Sequence, residues 1–227
     1  MAREDGWKAA YRVLGVDEAG RGPVIGPMVV CGVEVREGGE DLLRELGVRD
    51  SKLLTPVRRR ELSTEIPKVS SNHILKEIGA SEIDEAVTGN RLNYLEARVM
   101  AEITREIRPD TVYVDAPMAD TGAFAEMLRA HLTNPPEIIA ENHADREYPV
   151  VAAASILAKV RRDRRIEELH ETYGDFGSGY PSDTKTLRFL EGCYTREGSF
   201  PPIVRRSWAT IKELEARLSQ RKMSDYL

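Results

Sequence analysis

Two short apolar runs in this chain each end on an aspartate: residues 12–17 (RVLGVD) and residues 111–115 (TVYVD). Their β-branched residues predict strands. A strand that stops on a carboxylate places it at the carboxyl edge of a sheet, where layered α/β folds gather their sites. Further strands are predicted at residues 28–35 (MVVCGVEV), within 69–78 and at 137–140. Thr55 followed by Pro56 is a helix start, with Thr as N-cap and Pro in the first turn. Residues 81–84 (SEID) form a capping box. Leu92, Leu95, Val99 and Ile103 recur at helical spacing and predict a helix over residues 90–107. Other helices are expected near 123–131, from Pro149 to about residue 172, near 184–191 and over 207–220, while 38–39, 50–52 and the glycine-rich 174–181 read as loops. In the helix that begins at Pro149, the buried stripe is expected at Ala153, Ile156, Leu157 and Val160, with the basic residues outside. Three strands followed by strand–helix–strand–helix give an α/β class: a mixed five-stranded sheet flanked by helices, with a C-terminal helical extension.

Composition narrows the function classes. The chain has 227 residues, 41% hydrophobic and 31% charged, which suits one folded domain with an appendage and is too apolar for a disordered chain. No apolar run approaches the ~18 residues of a membrane span, and the first ten residues lack the apolar core of a secretory signal. Cys31 and Cys193 form neither a disulfide framework nor a metal-ligand spacing, so a reducing, cytoplasmic setting is expected. The 33 basic and 38 acidic residues give a net charge of −5. That total does not favour nucleic acid, but binding depends on where the positive charge sits. It is clustered, in Arg58, Arg59 and Arg60, and in Lys159, Arg161, Arg162, Arg164 and Arg165. Either cluster alone also fits a solvated helix face.

The carboxylates carry the chemistry. Asp17 and Asp115 close strands, Glu18 follows the first, and Asp145 lies between the last strand and the long helix. A single strand-ending Asp is an ordinary turn former. Several on one sheet edge repel one another and need a counter-charge. With no paired His or Cys, that counter-charge is a hard dication, Mg²⁺ or Mn²⁺. Two such ions about 4 Å apart suit in-line phosphoryl displacement. Gly20-Arg21-Gly22, with Gly15, Pro23 and Gly26 around it, lacks the Lys-Ser/Thr of a Walker motif, and no helix opens there to make a dinucleotide site. It reads either as a tight turn or as backbone that comes close to a sugar or phosphate.

Taken together these segments resemble the ribonuclease HII (type 2 ribonuclease H) family, in its archaeal single-chain form. Five blocks occur in order: residues 17–23 (DEAGRGP), 50–52 (DSK), 113–116 (YVDA), 144–160 around Asp145 and Pro149, and 177–182 (GSGYPS). The resemblance implies a ribonuclease H-like fold and an endonuclease for RNA–DNA hybrids and for ribonucleotide-containing duplex DNA. Cleavage would fall 5′ to the ribonucleotide and leave 3′-hydroxyl and 5′-phosphate ends. It implies two metal ions held by Asp17, Glu18, Asp115 and Asp145. Recognition of the ribose 2′-hydroxyl falls to the backbone of Gly20, Arg21 and Gly22, and Tyr180 lies against the sugar on the DNA side of a junction. Lys52 joins the substrate-binding set. The 2′-hydroxyl is the handle that separates RNA from DNA at one nucleotide. In one departure, His143 stands where members of the family commonly carry Lys, which lowers the positive potential expected there. Lys159, Arg161, Arg162 and Arg165 are expected to hold phosphate backbone.

The last eight residues (QRKMSDYL) resemble the peptide that docks on the sliding clamp of archaeal and eukaryotic replication, through Gln220, Met223, Tyr226 and Leu227; Leu227 stands where an aromatic residue is usual. The expected organisation is a catalytic domain over 1–190, a helical extension over 191–219 and a clamp-binding tail over 220–227, in a monomer. Two other functions fit parts of the pattern: a different nuclease on the same fold, such as a Holliday-junction resolvase, and a nucleic-acid-binding module without activity.

Overall fold

The structure, a computed structural model, describes residues 11–224, with the side chains of 221–224 left undescribed. Five strands form one sheet: β1 (Arg12–Ala19), β2 (Met28–Arg36), β3 (Asn72–Ile78), β4 (Thr111–Asp115) and β5 (Glu137–Glu141). Their order is β3-β2-β1-β4-β5. The first three strands pair antiparallel; β1 and β5 flank β4 in parallel. The mixed five-stranded sheet is therefore as expected, and the Val16–Val114 pairing puts the next residues, Asp17 and Asp115, side by side on adjacent strands.

Helices cover both faces. α3 (Ala80–Thr88), α4 (Leu92–Ile107) and α5 (Thr121–Arg129) pack on one, burying Ile83, Met100, Ile103 and Phe124 against Leu14, Val16, Met28 and Val114. On the other lie α1 (Gly39–Glu45), α2 (Pro56–Val69), the four-residue α6 (Ala144–Glu147) and the long α7 (Pro149–Tyr173). A third apolar cluster joins α8 (Thr184–Glu197) and α9 (Ala209–Ser224) to Val24, Ile25 and Ile166.

α7 fixes the geometry of the sheet edge. Every residue from Pro149 to Ala158 is buried, because this half of the helix lies between the sheet and α1 and α2. Gly15 makes the close approach: a Cβ there would stand 2.3–2.5 Å from the backbone of Val150 and Val151, inside van der Waals contact. Small residues at the crossing let the start of α7, and Asp145 just before it, come up to β1.

The structure corrects several expectations. Gly39, expected in a loop, opens α1, and residues 40–45, given no element in the sequence reading, continue it, with Leu43 buried to hold the helix. Residues 51–53 form a 3₁₀ turn whose N-cap Asp50 accepts from the Lys52 N–H at 2.9 Å. The buried part of α7 is all-round at its start, and Val160 is only half-buried. Farther along, Arg162 is buried rather than on the exposed basic face. α9 continues to Ser224, so the backbone of Gln220 and Met223 is helical; Tyr226 and Leu227 lie outside the described residues. Among the described residues, no helix is long and apolar enough to cross a membrane.

Candidate active site

Oxygens of Asp17, Asp115 and Asp145 lie within 4.8 Å of one another at the carboxyl ends of β1 and β4. Asp17 and Asp145 are buried. Asp17 accepts from the Glu18 N–H at 2.7 Å and is also bonded by the Ser155 hydroxyl, which meets the Ser51 hydroxyl at 3.0 Å. Asp115 accepts backbone N–H bonds from His143 (2.8 Å) and Ala144 (3.3 Å). His143 takes a left-handed φ of 62° to make that turn, and its imidazole is exposed. Its contribution here is a peptide N–H, and the departure at this position leaves that contact intact.

Strand alternation sends Glu18 to the opposite face from Asp17. It does not join the aspartate trio, although it lines the same cavity. Arg21 turns its guanidinium back to Glu96 on α4 and to Asn93 Oδ1, the latter at 2.7 Å. Arg21 also lines that cavity.

The cluster is electrostatically unfinished. Burial, and then the charge of Asp115, hold the Asp17 carboxyl well above the usual carboxylate range. Asp115 is raised by burial and by Asp145. Asp145 is raised by burial, with Lys52 opposing. Both Asp145 oxygens and Glu18 Oε2 are buried and accept no hydrogen bond from the described residues. Among those residues, the one cation within ion-pair range of Asp145 is Lys52, at 3.8 Å and well exposed. Buried acceptors without donors cost free energy, so an all-oxygen set of this kind fits a hard divalent cation.

Asp17 and Asp115 open on a cavity of about 350 Å³, lined also by Glu18, Gly20, Arg21, Gly22, Lys52, Lys159 and Tyr180 among others. Two further lining residues are not among the site residues of the sequence reading: Ser155, and Arg59, which figures there only in a basic cluster. Arg59 fixes the 3₁₀ turn by donating to Ser51 O (3.0 Å) and Leu54 O (2.7 Å); its position four residues after the N-cap Thr55 is the one local signal. Tyr180 is exposed, and the guanidinium of Arg162 lies over its ring. Lys159 pairs with Asp163, while Arg161 and Arg165 share Glu77. The basic face of α7 is thus largely paired within the fold.

Residues 14–211 match the family described as Ribonuclease HII. The chain is 47% identical over 211 residues to the ribonuclease HII of Thermococcus onnurineus, covering 92% of each chain. It is similar to the crystal structure of the ribonuclease H2 from Pyrococcus horikoshii OT3, with TM-score 0.86, 44% identity and coverage of 92% of this chain and 99% of that one. It is also similar to the structure of a PCNA:RNase HII complex from Archaeoglobus fulgidus, with TM-score 0.79, 41% identity and coverage of 86% and 94%.

Proposed function

The chain belongs to the ribonuclease HII family, and from that premise we propose that it cuts the phosphodiester 5′ to a ribonucleotide, in RNA–DNA hybrids and at RNA–DNA junctions in duplex DNA. Membership makes it a metal-dependent endoribonuclease of RNA–DNA hybrids. The choice of bond is supported by a single observation: Asp17 and Asp115 of the aspartate trio share one cavity with Gly20, Arg21, Gly22 and Tyr180. A cleavage centre and groups suited to a sugar face the same space.

Asp17, Asp115 and Asp145, with Glu18 beside them, would hold the divalent metal, Mg²⁺ or Mn²⁺. Two ions bound there would supply the charge that makes water nucleophilic and stabilises the leaving oxygen. The protein's own groups do the rest. Asp145 keeps both oxygens free of hydrogen bonds that would compete for the metal, while backbone N–H bonds to Asp17 and Asp115 hold those two carboxylates in place. Lys52 and Lys159 bring positive charge to the cavity for the phosphate. The backbone at Gly20–Gly22 meets the ribose 2′-hydroxyl, and Tyr180 packs on the neighbouring deoxyribose.

We also propose that residues 220–227 dock on a sliding clamp, supported by the PCNA-bound relative. On this reading residues 1–190 form the catalytic unit and 191–219 a helical extension. The activity is tested on a long RNA–DNA hybrid. Wild type should fragment the RNA only with divalent metal, and Asp17→Asn should be inactive at the same metal concentration. Cleavage undiminished in excess chelator would overturn the assignment.

A further inference from the structure

The carbonyl groups of Gly20, Arg21 and Gly22 are all held from the C-terminal side. Arg205, fully buried, donates to Gly20 O at 2.6 Å, to Arg21 O at 2.9 Å and to Gly26 O at 3.0 Å. Trp208 Nε1 donates to Gly22 O at 3.3 Å, and its ring lies 5.2 Å from the Arg205 guanidinium. A peptide unit is planar and trans, so a carbonyl held one way sends the next residue's N–H the other way. The Arg21 and Gly22 N–H groups therefore point away from Arg205. Among the described residues neither has an acceptor in the protein, and both residues line the cavity with Asp17 and Tyr180.

A fully buried cation is an expensive way to tie down a turn, and a loop that needed only to be closed could be closed with less. Three carbonyls converging on one planar guanidinium instead fix the orientation of successive peptide planes, which a flexible ammonium would do poorly. The buried Glu96, paired with Arg21, supplies opposite charge that acts on Arg205 as well.

We propose that Arg205, assisted by Trp208, is a positioning residue for ribose discrimination: it orients the Gly20–Gly22 peptides so that two free N–H donors meet the 2′-oxygen. The proposal rests on the reading of that loop given above.

The test uses the full-length enzyme with two duplexes of one sequence. One carries a single ribonucleotide and is the substrate; the other is all DNA and acts as a competitive inhibitor. The ratio of the inhibitor's Ki to the substrate's KM reports discrimination without requiring DNA cleavage. Arg205→Met should lower the ratio by about tenfold, the weight of one hydrogen bond, through a higher KM with Ki unchanged. Arg205→Lys, which keeps the charge and some donors, should give an intermediate ratio. Trp208→Phe removes one donor and no charge, so it should fold and show a smaller fall of the same kind. A purely structural brace would lower kcat, or raise KM and Ki together, leaving the ratio fixed. An unchanged ratio in Arg205→Lys and Trp208→Phe, beside a discriminating wild type, overturns the proposal alone. A wild type that does not discriminate overturns the reading of the loop and the proposal with it.

Discussion

The guanidinium carbon of Arg162 lies 5.1 Å from the centre of the Tyr180 ring. The same side chain donates to Ser178 O at 3.2 Å and fills the space under Gly20, where a Cβ would meet its Cδ at 2.7 Å. Gly20 has a φ of +87°, so both backbone conformation and space exclude a side chain there. One buried cation therefore supports the loop proposed to meet the 2′-hydroxyl and the ring proposed to meet the adjacent sugar.

Arg162→Lys should weaken that support, because an ammonium cannot lie flat over the ring while reaching Ser178. Cleavage of a duplex with one ribonucleotide should fall about 5–30-fold, the rate equivalent of ~1–2 kcal/mol for a partly desolvated cation–π contact. Tyr180→Ala should cost more on that duplex than on a long hybrid. Because the two groups touch, the double variant should lose less than the sum. Additive losses would show that Arg162 acts independently of Tyr180.

The carboxylate cluster predicts a pH dependence with a definite sign. The folded-state carboxyls of Asp17, Asp115 and Asp145 are raised by burial and mutual repulsion. In the window between those raised values and the ordinary value near ~4, the folded state binds more protons than the unfolded one. Metal-free protein should therefore gain stability from these groups as pH falls through that window, while metal affinity weakens over the same range. Asp17→Asn should raise the metal-free melting temperature and flatten this trend. Calorimetry at several pH values checks both, and a metal-free variant less stable than wild type at pH 7 contradicts the repulsion argument.

Glu77 pairs with Arg161 and Arg165 together. Glu77→Gln should release Arg161 for phosphate, while Arg165 keeps its partner Glu168, and so tighten DNA binding and steepen its dependence on salt by about one counterion per additional phosphate neutralised. Replacing Lys159, Arg161 and Arg165 with Ala should do the reverse without changing sequence preference. Identical salt slopes in all three proteins would mean that this face is only solvated.

Much of this site is legible in the sequence because strand patterning and short-range chemistry are local. β1 and β4 announce themselves by β-branched residues, and an Asp near the carboxyl end of each is visible without knowing that Val16 pairs with Val114, although β1 runs two residues past Asp17 to Ala19. The long α7 is legible from its apolar run and Pro149. What escapes depends on contacts between distant parts of the chain. Arg162 sits in a run of basic residues and reads as surface, since nothing local says that Gly20 and Tyr180 will close over it. Arg205 lies beside Arg206 in an unpatterned stretch, and its three carbonyl partners are 179 or more residues away. Glu18 reads as one of four equal carboxylates until alternation along β1 turns it to the α4 side. Residues 39–45 escape because so short a segment cannot display a helical period.

Deleting residues 220–227 should leave cleavage of short free duplexes unchanged and remove binding to a sliding clamp. A short segment ordered on binding predicts about micromolar affinity, measurable by calorimetry with an archaeal clamp. Undiminished binding by the truncated protein would rule the tail out as the docking element.

The central claim is tested most directly by mapping cleavage at nucleotide resolution on a DNA duplex with one embedded ribonucleotide, in Mg²⁺ or Mn²⁺. The predicted result is a single cut on the 5′ side of that ribonucleotide, leaving a 3′-hydroxyl and a 5′-phosphate, lost in Asp115→Asn and absent from the all-DNA duplex. Cleavage on the 3′ side, or equal cleavage of the all-DNA duplex, would contradict it.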